Sequence, residues 1–214
     1  MTQYTSYDLI EWGKPFQKCK KKLPKPTSAE VLVRVTAAGL CHSDLHVQKG
    51  FMDLGEEGKL TFSERGAELP MTFGHEIAGI VEAIGPEASM VNIGQQVLVF
   101  PWIGCGKCEA CAEERESDCS AMRIIGLKQK GGFATHCLVE NEKFLVDIEG
   151  LDAAEVVPHA CSGITVYNAL EKMGALKEDE WMAVMGCGGL GMNAISIACA
   201  MGFKKIIAID IDDG

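Results

Sequence analysis

Met182-Ala183-Val184-Met185-Gly186-Cys187-Gly188-Gly189-Leu190-Gly191 runs from four apolar residues straight into a cluster of four glycines. A short apolar run that ends at glycine reads as a buried strand. Past the turn, Leu190, Ala194, Ile197 and Met201 fall on one helical face, and Ile206-Ile207-Ala208-Ile209 reads as a second buried strand. That strand closes on Asp210, nineteen residues after Gly191. Strand, GxGxxG turn, helix, strand and acid form the pattern of a dinucleotide site. Gly186, Gly188, Gly189 and Gly191, with Leu190 among them, allow a tight turn and close backbone approach to a pyrophosphate. The helix start offers unpaired N–H groups to that anion, and Asp210 is placed to accept from a ribose hydroxyl. An acid there disfavours the 2′-phosphate of NADP, which points to NAD.

No residue from Met182 to Phe203 is charged, a length that would span a bilayer. Gly186, Gly188, Gly189, Gly191 and Gly202 interrupt it, so strand, turn and helix explain it better than a membrane segment. The whole chain has 214 residues, 47% hydrophobic and 23% charged, ordinary proportions for one large or two small globular domains. A net charge of -10 argues against nucleic acid or an anionic membrane as partner. The one basic cluster, Lys18 and Lys20 to Lys22 ahead of Pro24 and Pro26, reads as a solvated connection between strands. Ten cysteines in a chain whose first residues, Met1 to Lys14, are mixed and polar suggest a reducing, cytoplasmic location rather than a disulfide scaffold.

Toward the N-terminus, Val31, Val33, Val35 and Ala37 alternate as one face of a strand over 30–38. Gly39 breaks it, and Cys41 to His46 follow as a turn entering a short helix. Residues 50–69 are polar and aperiodic and read as a surface loop. Strands resume at 76–84, with a turn at Gly85-Pro86, and at Val97 to Phe100. Further strands are expected at 133–139 and 143–146. Val166, Ala169, Leu170 and Met173 then recur at helical spacing, with Gly174 as the stop.

Cysteines supply the metal chemistry. Cys105, Cys108, Cys111 and Cys119 lie within fifteen polar, glycine-containing residues, a spacing that lets one lobe of chain surround a single ion with four thiolates. Such a set leaves no open position and is the mark of a structural zinc; disulfides or free thiols are the alternative. A second set is more dispersed. Gly74-His75-Glu76 opens the apolar run Ile77 to Val81, and Cys41 and Cys161 stand in comparably apolar settings. Two cysteines and one histidine would hold a zinc with one position free for water or substrate, the arrangement of a catalytic ion. On the residues alone, a structural histidine and buried free cysteines stay open as readings.

Five blocks in order, CHSDLH at 41–46, GHE at 74–76, CxxCxxCx7C at 105–119, CSGITVY at 161–167 and GCGGLG at 186–191, resemble the zinc-dependent alcohol dehydrogenases of the medium-chain dehydrogenase/reductase superfamily. The resemblance implies an α/β protein with a GroES-like β-barrel catalytic domain over 1–150. An incomplete Rossmann NAD-binding domain would follow over 151–214. It implies that Cys41, His75 and Cys161 hold the catalytic zinc and that Cys105, Cys108, Cys111 and Cys119 hold a structural one. Glu76 would lie behind the catalytic metal, and Asp44 would accept the second ring N–H of His75. Ser43 would bond the alcohol at the metal and pass its proton through the cofactor ribose to His46. His42 would sit near the pyrophosphate and Thr165 near the nicotinamide. Zinc lowers the pKa of bound water from about 15.7 to about 7, and an alcohol should respond similarly, easing hydride transfer to NAD.

The implied activity is interconversion of a small-molecule alcohol and an aldehyde or ketone. A polyol, formaldehyde-adduct or cinnamyl-type dehydrogenase on the same scaffold fits equally, and a non-catalytic zinc module is the reading of another class. Family members run to roughly 350 residues and a doubly wound domain to about six strands. Only two such strands are legible here, so a piece of a longer, homo-oligomeric enzyme with an uncovered sheet face is expected. The segment 51–69 is expected either to border the substrate entrance or to be a neutral surface insertion. Cys19, Cys137, Cys187 and Cys199 receive no role.

Overall fold

The structure, a computed structural model, describes residues 2–177 and 179–211; Met1, Glu178 and residues 212–214 of the two expected domains lie outside the described residues. The chain forms two compact units that divide between Val157 and Pro158.

The first unit begins with strands β1 (Gln3–Leu9), β2 (Gln17–Lys22) and β3 (Val31–Ala38), helix α1 (His42–Lys49) and a hairpin of β4 (Phe51–Asp53) and β5 (Lys59–Thr61). There follow β6 (Met71–Thr72), β7 (Ile77–Ile84), β8 (Gln96–Val99), β9 (Trp102–Ile103), the short helix α2 (Glu109–Ala112), β10 (Arg123–Ile124), β11 (His136–Val139), β12 (Leu145–Asp147) and the short helix α3 (Ala153–Val156). An antiparallel sheet in the order β11-β3-β7-β8-β12 is the main wall, and β2-β1-β6 is a second. Residues 133–135 lace the two together: Tyr7 donates its N–H to the Phe133 carbonyl, Thr135 to that of Thr5, and Val35 to that of Thr135. The interior carries the alternation read from the sequence, with Val31, Val33, Ile77, Val81, Val97, Val99 and Val139 packed in one apolar cluster. Branched side chains fit such a pleated surface, and each contributes about 1.5–3 kcal/mol on burial. Glu142 is also buried, but its carboxylate accepts the N–H groups of Ser89 and Met90 at 2.8 and 2.6 Å and so pins the connection between β7 and β8. These hydrogen bonds, Ser89's first, hold its carboxyl below the usual carboxylate range.

Two expectations need correction in this unit. The lysine cluster is not a connection: it forms β2, the outer strand of its sheet, where charged side chains protect an unpaired edge. Lys20 donates to Thr5 Oγ1 at 2.8 Å, and Lys21 pairs with Asp8 at 2.6 Å. The segment 50–69 is not an aperiodic surface loop either. Its hairpin is anchored by Phe62 and Ala67, which are buried in a second apolar cluster with Leu9, Val47 and Phe73.

The second unit holds α4 (Ser162–Met173), β13 (Met182–Met185), α5 (Gly189–Ala200) and β14 (Ile206–Ile209). Strands β13 and β14 pair in parallel, Met182 with Ile206 through Met185 with Ile209, and α5 is the crossover between them. This is the βαβ unit expected from the glycine turn. Leu170, Met182 and Ala198 form its core, with Val184, Ile197 and Ile206 partly buried against them. Helix α4 ends at Gly174 as expected, although Met173 is exposed.

Here too the burial differs from the sequence reading. Met185 is 82% exposed and Ile207 and Ile209 remain largely open, so β13 and β14 are not buried strands. Parallel strands need cover on both faces to bury every side chain, and among the described residues α4 and α5 furnish the packing of one. On α5 the buried positions are Gly191 and Ala198, while Leu190 and Met201 are exposed. The helical period was legible but its phase was not, because small residues make the close contact.

Candidate functional site

Cys41 ends the extended backbone after β3 and is the N-cap of α1, with His42, Ser43, Asp44 and His46 on the helix itself. Asp44 is buried, and its carboxylate serves two neighbours at once. Oδ2 accepts the Cys41 backbone N–H at 2.9 Å, and Oδ1 lies 3.4 Å from His75 Nδ1. One side chain thus fixes the backbone of the cysteine and the ring of the histidine. His75 stands just before β7 in the strand's extended approach, beside the buried Glu76. The ligand atoms of Cys41, His75 and Glu76 lie within 4.8 Å of one another.

Electrostatics of this cluster suit a cation. Burial alone would strip the proton from His75, yet the hydrogen bonds and negative charge of Asp44 and Cys41 overcome it and raise its pKa to about 10. Burial, then the Cys41 charge, pushes Glu76 up to about 7. A divalent ion would satisfy the same negative field that retains these protons. Gly39 matters here in a way that its sequence context does not reveal. A Cβ at this position would fall 1.9 Å from Glu76 Oε2, so only glycine leaves room for the carboxylate. Along α1, His42 is exposed, Ser43 and His46 are half-buried, and the His42 and His46 rings lie 4.8 Å apart.

The second cysteine set forms a tight lobe. Cys105, Cys108, Cys111 and Cys119 bring their sulfurs within 4.8 Å of one another, with Cys105 and Cys111 at 4.0 Å and Cys108 and Cys119 at 3.8 Å. A tetrahedron with Zn–S of about 2.3 Å places its sulfurs about 3.8 Å apart, whereas a disulfide needs about 2.05 Å. The four thiols fit a zinc ion and are not disulfides. Backbone N–H groups of Lys107 and Cys108 lower the Cys105 pKa to about 6. The backbone N–H of Cys111 lowers that of Cys108, but the neighbouring sulfurs of Cys111 and Cys105 outweigh it and raise it to about 11.

In the second unit Cys161 is the N-cap of α4, Thr165 lies exposed one turn on, and Asp210 follows β14. The glycine turn is shaped by contact. A Cβ at Gly191 would sit 1.8 Å from the Gly186 carbonyl oxygen, whereas one at Gly188 or Gly189 meets nothing within 4 Å among the described residues. The turn thus leaves open space beside Gly188 and Gly189, room for a close approach of a pyrophosphate to the backbone. Asp210 Oδ2 accepts the Cys187 N–H at 2.5 Å and Oδ1 that of Ile211 at 2.7 Å. Among the described residues, no helix is long and apolar enough to cross a membrane.

Residues 27–150 match the alcohol dehydrogenase GroES-like domain family. The NAD-dependent alcohol dehydrogenase of Sulfurisphaera tokodaii is 39% identical over 205 residues, which cover 95% of this chain and 57% of that one. The crystal structure of the alcohol dehydrogenase of Aeropyrum pernix superposes with a TM-score of 0.84 at 27% identity, covering 98% of this chain and 60% of that one. A thermostable alcohol dehydrogenase of Pyrobaculum aerophilum, solved with cobalt and zinc bound, gives 0.81 at 25% identity over 97% and 59%. The chain therefore spans little more than half the length of the curated relatives it matches. By its barrel, its paired βαβ strands and this match, the chain belongs to the zinc-type alcohol dehydrogenases of the medium-chain dehydrogenase/reductase superfamily.

Proposed function

We propose that this chain carries the metal site and the first half of the cofactor cleft of an NAD-dependent enzyme that interconverts an alcohol and an aldehyde or ketone. The observation that carries the reading is the grip of Asp44 on both Cys41 and His75, which preorganises a thiolate and an imidazole around one point. Cys161 is the third ligand in this proposal, completing the two-cysteine, one-histidine set that leaves one position open. Zinc, when bound, supplies Lewis-acid polarisation of the substrate oxygen. Asp44 holds the proton of His75 on Nδ1 and leaves Nε2 for the metal. Glu76 adds negative charge behind the ligands without taking the open position.

Ser43 and His46, one helical turn apart on α1, form the ends of the proton path. Ser43 would bond the substrate hydroxyl and take up its proton, and His46 would deliver a proton to solvent, with the ribose of a bound cofactor lying between them. His42 would meet the pyrophosphate and Thr165 would flank the nicotinamide, the group that would supply the hydride acceptor when bound. Gly186 to Gly191 cradle the dinucleotide phosphates and Asp210 takes the ribose hydroxyls; its charge is the reason for choosing NAD over NADP. The second zinc belongs to the Cys105, Cys108, Cys111 and Cys119 lobe, where it fixes the fold and does no chemistry.

Metal content and NAD reduction test this together. The expected result is two zinc ions per chain, one lost in Cys161→Ala and the other in Cys108→Ala. NADH should form over a panel of primary and secondary alcohols, in the chain extended to the length of its relatives. A single ion that survives Cys161→Ala would sink the catalytic-site reading.

A further inference from the structure

Helix α5 contains one side chain that its local sequence does not explain. Asn193 lies in the helix interior, where asparagine is a poor helix former, among residues that are otherwise small or apolar. Its side-chain amide spends both hydrogens. Nδ2 donates to Ser162 Oγ at 2.7 Å and to the Gly189 carbonyl at 3.3 Å. Ser162 in turn donates its single hydroxyl proton to the Pro158 carbonyl at 3.1 Å, which leaves its lone pair to receive Asn193. The polarity of the chain is fixed from end to end: Gly189 carbonyl, Asn193 amide, Ser162 hydroxyl, Pro158 carbonyl.

Two links of this hydrogen-bond chain adjoin functional residues under the reading above. Gly189 is the last residue but two of the glycine turn, and Ser162 directly follows Cys161. We propose that Asn193 is a positioning residue that ties the start of α4, and with it Cys161, to the dinucleotide turn, so that cofactor binding and metal retention strengthen each other. The inference rests on Cys161 as a zinc ligand and on Gly186 to Gly191 as the cofactor turn. A dinucleotide that orders the turn restricts Asn193, Asn193 restricts Ser162, and the restraint passes to the adjoining sulfur. Linkage makes the effect reciprocal: the factor by which cofactor tightens zinc is the factor by which zinc tightens cofactor.

The test is zinc release from the full chain to a chromogenic chelator, with and without saturating NAD. In the wild type, NAD should slow loss of the Cys161-dependent ion by roughly fivefold or more, the lower range of coupling factors. Asn193→Ala should bring that ratio to about one, while the ion of the four-cysteine lobe leaves at its unchanged rate. Ser162→Ala cuts only the second link, so it should abolish the ratio and shift the NAD dissociation constant less than Asn193→Ala does. Ser162→Thr, which keeps the hydroxyl, should restore it. Where Asn193→Ala does not fold, the Ser162 pair decides the matter alone. A wild-type ratio retained in Asn193→Ala and in Ser162→Ala overturns the inference and leaves the zinc and NAD assignments standing. A wild type with no Cys161-dependent ion, or no NAD binding, overturns both.

Discussion

Asp8 is a carboxylate buried between three strands. Burial on its own would raise its pKa, but the charge and hydrogen bond of Lys21 and the bond from Thr72 Oγ1 at 2.7 Å outweigh it and hold the group below its ordinary value. Lys21 also reaches Thr72 Oγ1 at 3.0 Å, so β2, β1 and β6 share one polar cross-link. Because the folded pKa is depressed, the stabilisation is complete above the unfolded pKa of about 3.9 and is lost as pH falls through the folded value. Asp8→Asn should therefore cost about 1.5–3 kcal/mol in urea unfolding at pH 7. The gap between wild type and variant should close as pH drops below about 4. A gap that persists at pH 2 would mean that charge is not its source. At this same scale lie features no linear reading finds. Gly39 is needed because of Glu76, far along the chain, and Asn193 because of Ser162 on another helix.

Hairpin β4/β5 illustrates the element scale. Phe62 is buried against Leu9, Val47 and Phe73 and joins the hairpin to β1 and α1. Phe62→Ala should destabilise the first unit by about 3–5 kcal/mol in denaturant unfolding, the usual cost of emptying such a site. A change near zero would restore the picture of a loose surface segment. Sequence periodicity missed this element because its two anchors, Phe62 and Ala67, follow neither a period of two nor of 3.6. Elements that pack along their whole length were legible. Strand β3 alternates from Val33 onward although Leu32 is buried as well, and the βαβ order around the glycine turn stands as expected. The cysteine lobe was also legible, since its four donors happen to lie within fifteen residues of sequence.

Across the whole molecule, the ten cysteines divide by environment rather than by position. Cys105 is a low-pKa thiol at about 6, whereas burial pushes Cys137 up to about 12. After zinc is stripped by a chelator, a brief pulse of iodoacetamide at pH 7 should label Cys105 ahead of Cys137, read by peptide mass spectrometry. Cys137 should react only when the protein is unfolded. Early labelling of Cys137 would show that the barrel opens when metal leaves. Zinc restored before the pulse should protect Cys105, because a thiolate bound to metal is a poor nucleophile toward the reagent.

The double grip of Asp44 also sets rules for anyone redesigning the proposed centre for another metal. It holds position 41 by the main chain and position 75 by the ring itself. A combinatorial library can therefore vary the donor at 41 and keep its anchor, so Cys41→His and Cys41→Asp should still place a ligand at the site. Every substitution at His75 surrenders the anchor with the donor. Screened for cobalt or copper uptake beyond that of the four-cysteine lobe, such a library should return its binders from position 41 and none from position 75.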